Sequence, residues 1–236
     1  MKHFLMVYQQ PAFILHKRDF RNTSQILELF TLDYGRVSVI AKGAKRDKTK
    51  AMGDLQPFIS LLVNFQGKAE LKTLTSFEAN GKQAKISGLS AYCSLYLNEL
   101  LLYSMAKHDP HQKLFRAYKR ILPLLAGQQD MSQLLRKFEY VLLRELGFEI
   151  DLKLDKFGQK IVPSKRYIFD QGFLPSENGI SGSCLSSLKT KNNKTEGECA
   201  KHLRLLMQNL IANILHGHTL KSRAAMQDYL QISKNE

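Results

Sequence analysis

Closely spaced cysteines are missing from this sequence. Its three cysteines, Cys93, Cys184 and Cys199, are odd in number and far apart, and with no secretory-type opening segment the chain reads as a reduced, cytosolic protein. Tetrahedral zinc usually draws on two close ligand pairs, and no CxxC is present. The two close histidine pairs, His108 with His111 and His216 with His218, are read as structural rather than ligating. A membrane span is also missing: the most apolar run, Leu95 to Met105, is interrupted by Asn98 and Glu99 and is too short to cross a bilayer. It reads as a buried helix whose two polar members need partners. Nor does the chain contain a GxxxxGK[ST] loop, a GxGxxG turn after a strand, an HExxH or a GxSxG, which argues against ATP hydrolysis and hydrolase chemistry. Acidic pairs such as Glu149 with Asp151 read as exposed charge rather than as a nuclease site.

Negative charge is scarce throughout. Against 35 Lys and Arg there are only 21 Asp and Glu, a formal net charge of +14. Such an excess favours polyanions, because cations that neutralise phosphates release condensed counterions. Division after Lys82 leaves +6 on the first part and +8 on the second, so no basic tail accounts for the total. The densest stretch runs from Arg36 to Lys50, where a short alternating strand leads into a loop with Lys42, Lys45, Arg46, Lys48 and Lys50 around Asp47. Mobile cations on a β-scaffold suit phosphate contact, and Arg36 and Lys72 are further candidates.

Two periodicities divide the 236 residues. Residues 1–82 read as five strands: Ala12 to Lys17, Ser24 to Leu32, Arg36 to Lys42, Leu55 to Phe65 and Leu71 to Ala79. Asp33-Tyr34-Gly35 is a hairpin signal, and Gln56-Pro57 places an edge, strand start or bulge in the fourth strand. The pattern fits a small barrel, either of the oligonucleotide-binding (OB) or of the SH3-like type. Residues 83–236 read as a mainly helical domain, giving an α+β chain in two parts. Helices are expected over Ser90 to Lys107 and His111 to Leu122, with Pro123 ending or kinking the second. Another begins at the Asp130 N-cap, with Gln133 three residues on, and stops at Gly147. Residues 148–194 form an irregular excursion with a hairpin at Asp170-Gln171-Gly172. A helix capped by Thr195, with Glu198 reaching back, runs to about Gly217, and a last one follows Ser222.

Several of these segments together resemble the RecO family of bacterial DNA repair and recombination mediators. They are Phe13-Ile-Leu-His, Ser24-Gln-Ile-Leu-Glu-Leu-Phe-Thr, Gly35-Arg-Val-Ser-Val-Ile-Ala-Lys-Gly-Ala-Lys, Leu55-Gln-Pro-Phe, Tyr96-Leu-Asn-Glu-Leu-Leu, Arg136-Lys-Phe-Glu-Tyr-Val-Leu-Leu-Arg-Glu-Leu-Gly-Phe and Leu220-Lys-Ser-Arg. The resemblance implies an N-terminal OB-fold followed by a helical domain, binding of single- and double-stranded DNA, annealing of complementary strands, and no catalysis. It implies RecR, the acidic C-terminal tail of the single-stranded DNA-binding protein SSB, and indirectly RecA as partners, and a cytoplasmic, nucleoid-associated location. Many relatives carry a four-cysteine zinc module in the stretch corresponding to 148–194. This sequence departs from that pattern, so no metal or other cofactor is expected. An acidic tail ending in an apolar residue needs a hydrophobic groove rimmed by cations, for which Arg116, Lys119, Arg120, Arg136 and Lys137 are candidates. The competing reading is an interaction adaptor whose basic surface serves acidic proteins.

Overall fold

The computed structural model describes residues 5–44, 53, 55–127, 130–148, 150–189, 197–215 and 217–232. Its first five strands are β1 (Leu5–Phe20), β2 (Ser24–Thr31), β3 (Gly35–Ala41), β4 (Leu61–Gly67) and β5 (Lys72–Ala79). They close into a barrel in the order β1-β2-β3-β5-β4, with β3 and β5 parallel and the other neighbours antiparallel. That order, with its parallel closure, is an OB-fold and excludes the SH3-like alternative. Alternation decides which side chains point inward. Val7, Ala12, Ile14, Leu27, Leu29, Val37, Val39, Ala41, Leu61, Val63 and Phe65 fill the interior.

β1 is longer than its sequence signal because it pairs with two strands in turn. Its first half runs beside β4 and its second beside β2, and the register shifts once within each pairing, between Val7 and Gln10 and between Ile14 and His16. β4 is shorter than expected, since Gln56-Pro57-Phe58 forms a turn ahead of it, with Phe58 at φ 72. At the β2–β3 hairpin Gly35 has φ +62, and a Cβ there would lie 2.2 Å from the Asp109 carbonyl oxygen. Only glycine fits that combination of conformation and contact.

The remaining elements are α1 (Leu89–Ser104), α2 (Gln112–Ala126), α3 (Met131–Glu145), β6 (Arg166–Phe169), β7 (Phe173–Ser176), β8 (Ile180–Ser181), α4 (Gly182–Ser186), α5 (Gly197–Ile214) and α6 (Lys221–Ile232). Packing groups the chain into two compact units, Met1–Gly127 with Thr219–Glu236, and Gln128–His218. In the first unit, Phe13 and Phe30 on the outside of the barrel meet Phe115 and Tyr118 of α2, with ring centroids 5.0 to 6.1 Å apart. α2 continues beyond Pro123 to Ala126. Leu122 and Leu125 are buried while Lys119 and Pro123 are exposed. The hydrogen bond that the proline ring removes therefore lies on the side where water can replace it.

The polar members of α1 have their partners. Asn98 donates through Nδ2 to the carbonyls of Ile14 (3.3 Å) and Leu15 (3.0 Å), where β1 changes register, and accepts from the Tyr118 hydroxyl. Glu99 Oε2 accepts from the Ser222 backbone N–H (2.8 Å) and hydroxyl (2.5 Å), which caps α6. Beside it, Arg223 lies 5.2 Å from the Tyr96 ring centroid and donates to the Tyr96 hydroxyl at 3.1 Å. Tyr96-Leu-Asn-Glu and Leu220-Lys-Ser-Arg are thus two halves of one contact.

In the second unit Asp130 caps α3 by accepting from the Gln133 N–H. Gly147 (φ +84) ends it, with Gly147 N–H on Arg144 O and Phe148 N–H on Leu143 O, a Schellman motif. The 148–194 stretch contains a three-stranded sheet of order β7-β6-β8, with the expected hairpin at residues 170–172 between β6 and β7. α5 is described from Gly197; Thr195, and with it the expected cap, lies outside the described residues, while Glu198 accepts from Arg166 at 3.4 Å. One expectation is corrected outright. Cys184 and Cys199 are bonded as a disulfide, with Cα atoms 5.7 Å apart across a separation of 15 residues. The fold brings α4 and the first turn of α5 together, which spacing alone does not reveal.

Candidate nucleic-acid interface

Register brings two loops to one end of the barrel. β1 and β2 meet at Phe20 opposite Ser24, β2 and β3 at Gln25 opposite Ala41, and β3 and β5 at Ile40 opposite Thr73. The β1–β2 hairpin and the chain leaving β3 are therefore neighbours, whereas the β4–β5 hairpin, which precedes Lys72 on a strand parallel to β3, runs back toward Arg36. Since Leu27, Leu29, Val37, Val39 and Ala41 point inward, the alternate residues His16, Arg18 and Phe20 of β1, Ser24, Ile26 and Glu28 of β2, and Ser38 and Ile40 of β3 face outward. Lys42 follows on that same outer side, next to Ser24.

Arg18, Arg21 and Lys42 are exposed, and Arg18 and Arg21 carry no ion pair among the described residues. The Arg21 guanidinium lies over the Phe20 ring, 5.2 Å from its centroid, and Arg21 holds the left-handed conformation, φ 54, at the hairpin tip. Asp19 points to the other side of the strand, where it accepts from Gln25 Nε2 at 3.3 Å. At the β4–β5 hairpin the one acid, Glu70, is engaged by Lys107 at 2.6 Å; that hydrogen-bonded ammonium holds its carboxyl below the usual carboxylate range. Tyr8, on the β4-facing half of β1, is a further exposed aromatic, at 65 %.

Sequence-predicted residues divide sharply. Lys42 is on the exposed edge of this surface, and Lys45, Arg46, Lys48 and Lys50 lie outside the described residues. Arg36 is engaged by Glu28 at 3.4 Å, and Glu28 also accepts from Ser38 at 2.6 Å. Lys72 is buried beside the core residue Val39 and donates to Gly67 O at 3.2 Å. Neither of these is a mobile surface cation. Arg18, Phe20 and Arg21 went unread, although Lys17-Arg18-Asp19-Phe20-Arg21 sets cations around an aromatic ahead of the turn to β2.

Of the tail-binding candidates, Arg116, Lys119 and Arg120 are exposed on the solvent side of α2 in the first unit. Arg136 and Lys137 belong to α3 in the second. Arg136 is 7 % exposed and bonds Glu139, itself 0 % exposed, at 2.6 Å, so it is an interior ion pair rather than a rim. Burial pushes the Lys137 ammonium down from its ordinary pKa, against a smaller opposing effect from Asp130. A groove of about 500 Å³ in the second unit, lined by residues including Ile168, Ile180, His202, Leu206 and Leu210, has no Lys or Arg in its lining.

The donor set of a four-cysteine zinc module is not available, because two of the chain's three cysteines are bonded to each other. Among the described residues no group of three or more His, Cys, Asp or Glu side chains could hold a metal. No described helix is long and apolar enough to cross a membrane.

Residues 6–81 match the family model "Recombination protein O N terminal" and residues 87–228 the model "Recombination protein O C terminal". The chain is similar to the DNA repair protein RecO of Methylococcus capsulatus, 38% identical over 218 residues that cover 90% of both chains. It is also similar to the DNA repair protein RecO of Nitrosospira multiformis, 36% identical over 94% of this chain and 96% of that one. To the DNA repair protein RecO of Nitrosococcus oceani it is 44% identical over 64% of this chain and 61% of that one. With both family models matched in order and relatives aligned nearly end to end, the chain belongs to the RecO family.

Proposed function

We propose that the protein is a recombination mediator in DNA repair that binds single- and double-stranded DNA, anneals complementary strands, and with RecR helps load RecA onto SSB-coated single strands in the cytoplasm. Supporting this reading are the family and the outer β1–β2–β3 face, where Arg18, Arg21 and Lys42 are exposed at the barrel end from which the Lys45 to Lys50 loop departs. Cations distributed over a strand-built surface hold phosphates without reading bases. Two bound strands then repel each other less, and base pairing selects the complement. Residues 1–82 serve as the DNA-binding domain and 83–236 as the helical partner-binding domain. The mediator does no chemistry on DNA itself. For the acidic SSB tail, the exposed Arg116, Lys119 and Arg120 on α2 are the better candidates, because Arg136 is committed to Glu139.

The test is annealing of complementary oligonucleotides coated with SSB, with the acidic tail intact or deleted. Faster annealing with the protein, lost when the tail is deleted, is the expected result. No acceleration in either case refutes the mediator reading. A basic surface that serves only acidic proteins would give no mobility shift with a bare oligonucleotide at moderate salt.

A further inference from the structure

We infer that Phe20 and Arg21 form a stacking platform for an unpaired base of single-stranded DNA at the tip of the β1–β2 hairpin. The inference rests on the DNA-binding reading above and adds to it a contact that phosphate neutralisation does not supply.

Position is the first argument. Phe20 is the last residue of β1, opposite Ser24, on the outward side shared with Arg18, and one strand removed from the exposed Lys42. A strand held by those cations passes the hairpin tip. Conformation is the second. Arg21 has φ 54, which is uncommon for a residue with a Cβ and costs free energy that the tip must offset. That conformation folds the guanidinium back over the half-buried ring of the preceding residue, 5.2 Å from its centroid. Phe20 supports the guanidinium from below, while Arg21 as a residue is exposed. A guanidinium plane backed by an aromatic ring is a surface on which a nucleobase stacks, whatever its identity. Charge is the third. Arg21 has no ion pair among the described residues, and Asp19 is held on the opposite side by Gln25. The plane is therefore not occupied by a carboxylate.

Such a platform distinguishes bases from backbone, and the test uses that difference. The full-length protein, Phe20→Ala and Arg21→Lys are each titrated with a 20-mer of oligodeoxythymidine and with an abasic phosphodiester of equal length. Arg21→Lys keeps the charge and loses the plane; it also serves should Phe20→Ala disturb the hairpin. The unsubstituted protein is expected to prefer oligodeoxythymidine by about tenfold. In both variants that ratio should fall to about one, with abasic affinity within about twofold of the original and an unchanged salt slope. If both variants keep the original preference, or if the original protein binds the two ligands equally, the platform is refuted while the DNA-binding reading stands. If the protein binds neither ligand at moderate salt, the DNA-binding reading falls and the platform with it.

Discussion

Asn98 shows how one side chain specifies where a helix meets a barrel. It is 2 % exposed on the buried side of α1, a position where an unpartnered amide would be costly. Its amide donates to two β1 carbonyls at the Ile14–His16 register shift, and its carbonyl receives the Tyr118 hydroxyl. Burial in turn pushes the Tyr118 phenol well above its ordinary pKa, so it remains a donor across the physiological range. Asn98→Leu keeps the branched shape and the number of heavy atoms but removes the donor to Ile14 and Leu15 and the acceptor for Tyr118. The expected loss is about 2–4 kcal/mol of unfolding free energy, read as a lower urea midpoint with little change in slope. A loss below about 0.5 kcal/mol would mean that these groups are solvated and not part of the packing. The need for partners at Asn98 was visible in the sequence; the partners were not, since Ile14 and Leu15 are more than 80 residues away. The same non-locality hid the fate of Lys72, which reads as a surface cation until the fold turns it in beside Val39. Arg136 has its partner Glu139 only three residues on, and what the pattern hid there was the burial of both side chains.

At the scale of elements, the last helix depends on a contact from far up the chain. α6 fully buries only Ser222, its half-buried Met226 and Tyr229 lie against Cys93 and Tyr92 of α1, and its first turn rests on Glu99 and on the Arg223–Tyr96 stack. A carboxylate at a helix N-terminus supplies acceptors for otherwise orphaned N–H groups and a favourable charge for the dipole. Glu99→Ala should cost about 1–2 kcal/mol, and hydrogen exchange should accelerate over residues 221–232 while the barrel strands stay protected. Uniform acceleration across the barrel would show that the contact serves global rather than local stability. Elements with local signals were legible: the five strands, the Asp130 cap, the Gly147 stop and the 170–172 hairpin all depend on residues close in sequence. Those set by distant pairing were not. β1 reaches sixteen residues because β4 receives its first half, α2 passes Pro123 because Leu122 and Leu125 are drawn into the core, and Cys184 reaches Cys199 through the docking of α4 on α5. Of the candidate site, the basic exit from β3 was legible, whereas Arg18, Phe20 and Arg21 join it only once β1 and β2 are paired.

Over the whole molecule, the excess of fourteen positive charges makes ionic strength the natural probe. Much of it lies outside the 36–50 stretch, so that loop is one part of a larger positive surface. Reversing Lys45, Arg46 and Lys48 to Glu lowers the net charge by six and removes up to three phosphate contacts. For single-stranded DNA each lost contact removes about 0.7 from the slope of log affinity against log salt, so the slope should decrease by about two. Affinity at moderate salt should fall by roughly one to two orders of magnitude. Binding should persist at low salt, because Arg18, Arg21 and Lys42 flank the same barrel end and the second part of the chain carries a further +8. An unchanged slope would remove the loop from the interface. Complete loss of binding at low salt would make the loop the whole interface and leave the β1–β2 hairpin without a role. Reversal of charge separates these outcomes where alanine would not, since a Glu beside a bound phosphate repels it while a truncated side chain leaves neighbouring lysines free to compensate.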